Sequence, residues 1–210
     1  LVVIGILIAL QINNWNDQRK FRNQEFVLLK ELQTELTQNK DDIILTSDLI
    51  NKSIKSNKVI TSLFESHQPY HDSLAFHFAN LYSYTFFIAN NTSYEKLKST
   101  GIDIIRNDEI KNGISALYTI DFTTIERMEN LYMHEHYENY IKPIYMKEFI
   151  TFNWPSSFQI RDYESFILNY KTKQVLNYSI VNLRSIMVVQ KQLITKIERL
   201  IALIDQEIKK

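Results

Sequence analysis

TKQVLNYSIVNLRSIMVVQKQLITKIERLIALIDQEI, Thr172 to Ile208, contains neither Gly nor Pro. Leu176, Ile180, Leu183, Met187, Gln190, Ile194, Ile197, Ile201, Ile204 and Ile208 follow one another in steps of four and three, the rhythm of a helix with a sustained heptad seam. A second apolar row, Ile186, Val189, Leu193, Leu200 and Leu203, widens the stripe beyond what a two-stranded coil buries. The segment is expected to form the central helix of a bundle. The expected fold class is therefore all-α, an elongated antiparallel helical bundle of long helices and short connecting helices.

Composition supports that reading and narrows the function classes. The 210 residues include only three Gly and three Pro, which leaves little material for tight turns or β-hairpins. Lys plus Arg equal Asp plus Glu at 24 each, so no basic field exists to hold nucleic acid and no acidic tail is present. The absence of Cys excludes disulfides, thiolate metal sites and a Cys nucleophile.

At the other end, LVVIGILIALQINNWND, Leu1 to Asp17, carries no charge before Asp17. An apolar run that ends in Asn, Trp and Asp is what a helix leaving a bilayer looks like, with Trp15 at headgroup level. Leu1 to Ile12 would cover about 18 Å as a helix, less than the ~30 Å hydrocarbon core. Residues 1–15 are accordingly expected to be the C-terminal part of a truncated transmembrane helix, and 16–210 a single soluble helical domain. A cleaved signal peptide has an h-region of this length but needs a charged n-region and a small-residue cleavage site, and neither is seen. A buried core helix would leave the abrupt onset of charge unexplained. No Pro or Gly occurs from Asn16 to His67, and Leu29, Leu32, Leu36, Ile43, Ile50 and Ile54 keep one face apolar, so the first helix is expected to continue to about Phe64. Asn39, Ser53 and Asn57 dilute the stripe and predict looser packing in its outer half.

Between these helices the punctuation is dense. Pro69 in SHQPYHD ends the first helix. A short helix is expected from Asp72 to about Leu81, then an extended connector, YSYTFFIANN, that tucks Phe86, Phe87 and Ile88 into the core. Thr92 and Glu95 form a T-x-x-E capping box whose helix Gly101 closes in the left-handed conformation. Asn107 caps the next helix, with Asp108 and Glu109 in its first turn. Ile110, Ile114, Leu117, Met128 and Leu131 are its expected apolar face, with Asp121 and Thr124 on the same side. Pro143 is expected to kink or end it, NWPSS at 153–157 is the last full break, and a short helix around Tyr163 to Leu168 precedes the final one.

LVVIGILIALQINNWND, together with TSYEKLKSTG and the following DIIRNDEIKNGISALY (Thr92 to Tyr118), resembles a family of single-pass membrane proteins from Bacteroidota known only as a domain of unknown function. The resemblance implies a shared architecture over most of the chain and no particular activity. In that family the segment before the span is short and rich in Lys and Arg.

No constellation specifies a reaction. His67, His71 and His77 lie in HQPYHDSLAFH beside Asp72, but Pro69 breaks the i, i+4 geometry a shared metal ion needs. His134 and His136 are two residues apart, about 200° around a helix, and cannot face one ion. Glu126, Glu129, Glu135 and Glu138 lack the Glu-x-x-His pairs of di-iron bundles and are expected on a solvated face. Nucleophile elbows and Gly-rich phosphate loops are absent from the sequence. Tyr132, Tyr137, Tyr140 and Tyr145 suit a core or interface better than a pocket. Asp121 and Gln190, each in an otherwise apolar seam, are the best candidates for polar groups at a site.

The sequence thus predicts a membrane-anchored, non-enzymatic helical domain that presents a surface to a protein partner. It predicts no catalytic residue, metal or cofactor, and the lipid bilayer as a partner through residues 1–15. The alternative is an extracytoplasmic ligand-sensing bundle. Arg19, Lys20, Arg22 and Lys30 after the span favour a cytoplasmic domain by the positive-inside rule. The basic segment implied by the family resemblance favours the opposite, an inner-membrane protein with its domain in the periplasm, and the latter is the location expected here.

Overall fold

The computed structural model describes residues 2–83 and 85–210. In chain order its elements are α1 (Val2–Ser66), α2 (Leu74–Ala79), α3 (Thr92–Thr100), α4 (Asp108–Ala116), α5 (Phe122–Glu129), α6 (Lys142–Glu148), β1 (Phe149–Asn153), β2 (Ser157–Ile160), α7 (Tyr163–Leu168) and α8 (Tyr170–Ile208). The chain is predominantly helical, in agreement with the all-α class. Its contacts cluster into two compact units. The first holds the chain up to Lys40, Ala89–Asp121 and Thr195–Lys210, and the second holds Asp41–Ile88 and Phe122–Ile194.

Helix α1 is helical from Val2, and its first two turns and a half are bare: Val2, Ile4, Leu7 and Leu10 are 77%, 59%, 57% and 54% exposed. Among the described residues no helix is long and apolar enough to cross a membrane. Asn13, Asn14, Asn16 and Asp17 end the apolar run too soon.

Beyond Gln24 the burial of α1 follows heptad spacing. Glu25, Leu32, Asn39, Thr46, Ser53 and Ile60 form one buried row, and Leu29, Leu36, Ile43, Ile50, Asn57 and Phe64 a second, with Leu28, Glu35, Ser56 and Leu63 buried on their flank. The expected loosening at Asn39, Ser53 and Asn57 is corrected by this finding, because all three are fully buried and each binds backbone of the segment that follows α2. In the second unit, Ser53 Oγ donates to the Ser83 carbonyl and accepts from the Ser83 amide, both at 2.8 Å, and the Asn57 amide donates to the Leu81 carbonyl. In the first unit, the Asn39 side chain exchanges two 2.8 Å hydrogen bonds with the Asn90 backbone. Glu35 accepts from the Ser93 amide and Glu25 from the Arg106 amide. An irregular segment has no ladder of its own, so its buried N–H and C=O groups require such side-chain partners.

That segment is pinned at fewer points than its apolar content predicts. Phe87 is buried at 1% exposure, but Phe86 is 37% and Ile88 78% exposed. Extended backbone alternates its side chains, so three consecutive residues cannot all face inward. The capping box is also replaced: Thr92 is the first residue of α3 rather than its cap, and Asn90 Oδ1 accepts from the Thr92 amide at 3.2 Å. Glu95 turns outward to Lys98. Gly101 has a positive φ of 104°, yet its ψ of 120° lies outside the left-handed helical region. Asn107 caps α4 as expected, its side chain accepting from the amides of Glu109 and Ile110.

Between Leu117 and Ile141 the helix widens three times into π-turns, at Leu117–Asp121, Asn130–His134 and Tyr137–Ile141. Each adds a residue to a turn and rotates the downstream face. A face counted at 3.6 residues per turn therefore slips: Leu131 is 49% exposed, whereas Phe122, Ile125, Glu129 and Met133 are buried. Pro143 does not end the helix: it sits in the first turn of α6, directly after the π-turn Tyr137–Ile141.

NWPSS is the turn of an antiparallel hairpin of β1 and β2, a departure from the hairpin-free expectation. Pro155, after a cis peptide bond, and the Ser156 amide bonded to the Asn153 carbonyl at 2.7 Å shape the turn. Phe149, Ile150, Thr151 and Phe152 are residues that favour strands. Phe149 and Phe158 of the hairpin join Tyr145, Phe78 and Phe166 in an aromatic core with ring centroids 5.2–6.2 Å apart.

Helix α8 carries the heptad seam, with a shift of flank. Leu176, Leu183, Gln190, Ile197 and Ile204 are buried as the first row, but the second buried row is Ser179, Ile186, Leu193 and Leu200. Met187, Ile194, Ile201 and Ile208 are only half-buried. Gly113 of α4 admits one of these residues closely: a Cβ there would lie 3.0 Å from Leu200 Cδ1.

Candidate functional site

A cluster of polar groups removed from water lies in the second unit around Glu129, at the C-terminal end of α5. Phe122, Ile125 and Glu129 share one face of that helix, which places the carboxyl inward at 0% exposure. Glu129 Oε2 accepts from the Phe87 amide at 2.8 Å, and Oε1 accepts from Gln190 Nε2 of α8 at 3.2 Å. The same Nε2 donates to Thr46 Oγ1 of α1 at 3.1 Å, and Ser47 Oγ donates to Gln190 Oε1 at 2.6 Å. Burial pushes the Glu129 carboxyl up to about 7; the hydrogen bonds from Phe87 and Gln190 act against that rise, and the negative charges of Glu126 and Asp42 add to it.

Of the two candidate polar residues, Gln190 thus belongs to a buried cluster, whereas Asp121 lies in the first unit, where Lys196 Nζ pairs with it at 2.6 Å. Glu129 itself was assigned by its spacing to a solvated face, together with Glu126, Glu135 and Glu138. Those three are exposed and Glu129 is not. The row Phe122, Ile125, Glu129, Met133 was present in the sequence. It becomes visible once the π-turn at Leu117–Asp121 resets the phase.

A second buried pair resembles catalytic machinery and lacks its parts. His136 Nε2 lies 2.8 Å from Ser179 Oγ, at 4% and 0% exposure. Ser179 Oγ also donates to the Val175 carbonyl at 2.9 Å, so the imidazole is the donor in the pair and the hydroxyl is not activated. Tyr82, Tyr140 and Tyr178 surround the ring at 5.3–5.8 Å, and burial lowers its pKa. His134 is exposed beside Phe86. The tyrosines serve the core: Tyr82 Oη donates to the carbonyls of Tyr132 and Met133 in the second π-turn, and the ring of Tyr137 stacks on Tyr82.

The histidines of the first loop do not converge. His67 ends α1 with a φ of 47°, His71 Nδ1 meets Ser73 Oγ at 2.9 Å, and His77 Nδ1 meets Ser56 Oγ at 3.2 Å. Among the described residues no group of three or more His, Asp or Glu is placed to hold a metal ion.

The first unit has its own buried carboxylate. Glu35 accepts from the Tyr118 hydroxyl and from the Ser93 amide, the first amides of α3 being open donors. Burial, and then the hydrogen bond to Glu35, raise the Tyr118 pKa far above the usual phenol range. Open grooves flank this unit. One of about 620 Å³ is lined by Phe21, Arg22, Gly101, Ile104 and Arg106, and one of about 720 Å³ by Arg22, Phe26, Arg106, Glu207 and Lys210. In the second unit a groove of about 560 Å³ follows the hairpin past Tyr70, Asp72, Gln159 and Arg161.

No known protein family, curated protein or solved structure matches the chain.

Proposed function

We propose that the protein is a membrane-anchored, non-enzymatic helical scaffold that presents a surface to another protein, with residues 2–15 held in a bilayer. The observation that carries this reading is the bare apolar start of α1. Eight aliphatic side chains between Val2 and Ile12 stand more than half exposed on a helix that runs on without a break into the buried heptads, and such a surface in water is unfavourable by roughly 25 cal/mol per Å². Ile150, Phe152 and Trp154 of the hairpin, 51%, 43% and 65% exposed, are the surface offered to the partner. The non-enzymatic reading is supported by the position of Glu129 and His136, two of the buried titratable side chains, neither of which lines a groove named above.

Membership of the Bacteroidota family, and with it an inner-membrane location with the domain in the periplasm, belong to the same proposal and rest on the resemblance of Leu1 to Asp17 and Thr92 to Tyr118. Alkaline phosphatase and green fluorescent protein, fused separately after Lys210 in the full-length gene, test the location. Active phosphatase without fluorescence is expected, and fluorescence without phosphatase activity places the domain in the cytoplasm. A photo-crosslinking residue at Trp154 tests the partner surface. A discrete crosslinked species is expected, and its absence with the anchor intact removes the hairpin from the reading.

A further inference from the structure

The grooves of both units are open to water, so none of them desolvates a ligand, whereas the cluster around Glu129 is closed to solvent and holds an ionisable group that the scaffold reading leaves unused. Among the described residues, the charges that act on the carboxyl are both negative. Its neighbours from α1 are the uncharged Thr46 and Ser47 and the acidic Asp42; α8 contributes the uncharged Gln190; its own helix contributes Glu126; and the segment after α2 contributes the Phe87 amide. A carboxylate buried under two N–H donors and facing two further negative charges is only partly compensated for the water it has lost.

The segment it binds is largely exposed. Of Thr85, Phe86, Phe87 and Ile88, only Phe87 is buried, its ring 5.2 Å from that of Phe122 and its amide on Glu129. Lifting these residues would admit water to the carboxyl. We propose that Glu129 is a proton-operated latch on the segment Thr85–Ile88, shut while the carboxyl is neutral and opening as it ionises.

The direction follows from linkage. Shut, the carboxyl is buried and its affinity for a proton is raised; open, it is hydrated and titrates as an ordinary glutamate. The state with the higher proton affinity is favoured at low pH, so protonation shuts the latch and ionisation opens it. In the shut neutral form one oxygen still accepts the Phe87 amide. Gln190 presents both an amide oxygen and an NH₂, so rotation of that side chain supplies an acceptor for the new O–H. Raising pH through neutrality then exposes the Phe87 ring and the apolar surface beneath it.

Amide hydrogen exchange of the full chain from pH 5.5 to 8.5, corrected for the intrinsic pH dependence of exchange, tests this at the peptide containing Phe87. Opening is expected to rise by about thirtyfold over that range. In Glu129→Gln, which keeps the shape of the neutral acid, the same peptide should stay protected throughout. His134→Ala removes a second titratable group that touches the segment, through Phe86, and should leave the pH dependence in place. A flat profile in the native chain, or the same slope in Glu129→Gln, overturns the latch. Should Glu129→Gln fail to fold, carboxyl-carbon NMR titration of the native chain decides. A Glu129 midpoint near neutrality supports the latch, and one in the ordinary glutamate range refutes it.

Discussion

Glu35 shows how much one side chain carries when it serves two elements. Its carboxylate takes the Tyr118 hydroxyl on one oxygen and the Ser93 amide on the other at 3% exposure. Glu35→Leu strands both donors, and at about 1–3 kcal/mol for each buried unsatisfied group a loss of about 3 kcal/mol is expected in denaturant unfolding. Tyr118→Phe leaves the Ser93 bond in place and should cost about 1 kcal/mol. His134 and His136, between α5 and α6, differ in the same way. His136→Ala removes a buried ring and its bond to Ser179, for an expected loss of about 2–4 kcal/mol, while His134→Ala at an exposed position should fall within about 0.5 kcal/mol of the parent. Spacing alone could not separate them, because it showed that the two face apart and not which one faces in.

At the scale of the element, the two long helices differ in what their heptads hold. Of the α1 row Glu25, Leu32, Asn39, Thr46, Ser53 and Ile60, four members are polar, and each has a hydrogen-bond partner among the groups described above. In α8 the rows are apolar apart from Ser179 and Gln190. Ile197→Asp places a charge at a position of 0% exposure and should lower stability by several kcal/mol. The shift of flank is testable by neighbours: Leu193→Ala at 3% exposure should cost about 2–4 kcal/mol, and Ile194→Ala, half-buried one position on, less than half as much. Equal losses would mean that the two flanks are buried alike, as the sequence has them. The ambiguity is physical, since residues three and four positions from a seam residue lie on either side of the same stripe, and the neighbouring elements choose between them.

On the scale of the molecule, pH acts on the second unit through two groups of opposite sign. Glu129 has its folded-state pKa raised from 4.5 to about 7, so its contribution is fully present below about pH 4.5 and is lost as pH rises through 7. At 1.36 kcal/mol per pKa unit the loss is about 3 kcal/mol. His136 has its pKa lowered from 6.5 by burial, so its contribution is present above that value and is lost as pH falls. In the native chain the two groups therefore pull the melting temperature in opposite directions between about pH 5 and 7. Glu129→Gln should melt at progressively higher temperature as pH rises through this window, and His136→Gln at progressively lower temperature. Parallel profiles for the two variants would show that neither group governs the unit.

What the sequence by itself determined was the helical class, the extent of α1 and α8, the Asn107 cap and the short helix at Tyr163–Leu168, because these depend on local propensity, periodicity and chain breakers. A helix 39 or 65 residues long declares itself many times over. Only the tertiary structure decided which flank of α8 is buried, where the three π-turns advance the phase, and that the polar residues of α1 face inward. Each of these turns on a partner distant in sequence. Asn39 meets Asn90, Ser53 meets Ser83, and Glu129 meets Phe87 and Gln190. A polar residue in an apolar stripe has the same spacing whether it weakens the packing or binds a buried backbone group, and the difference lies in the chain that folds against it.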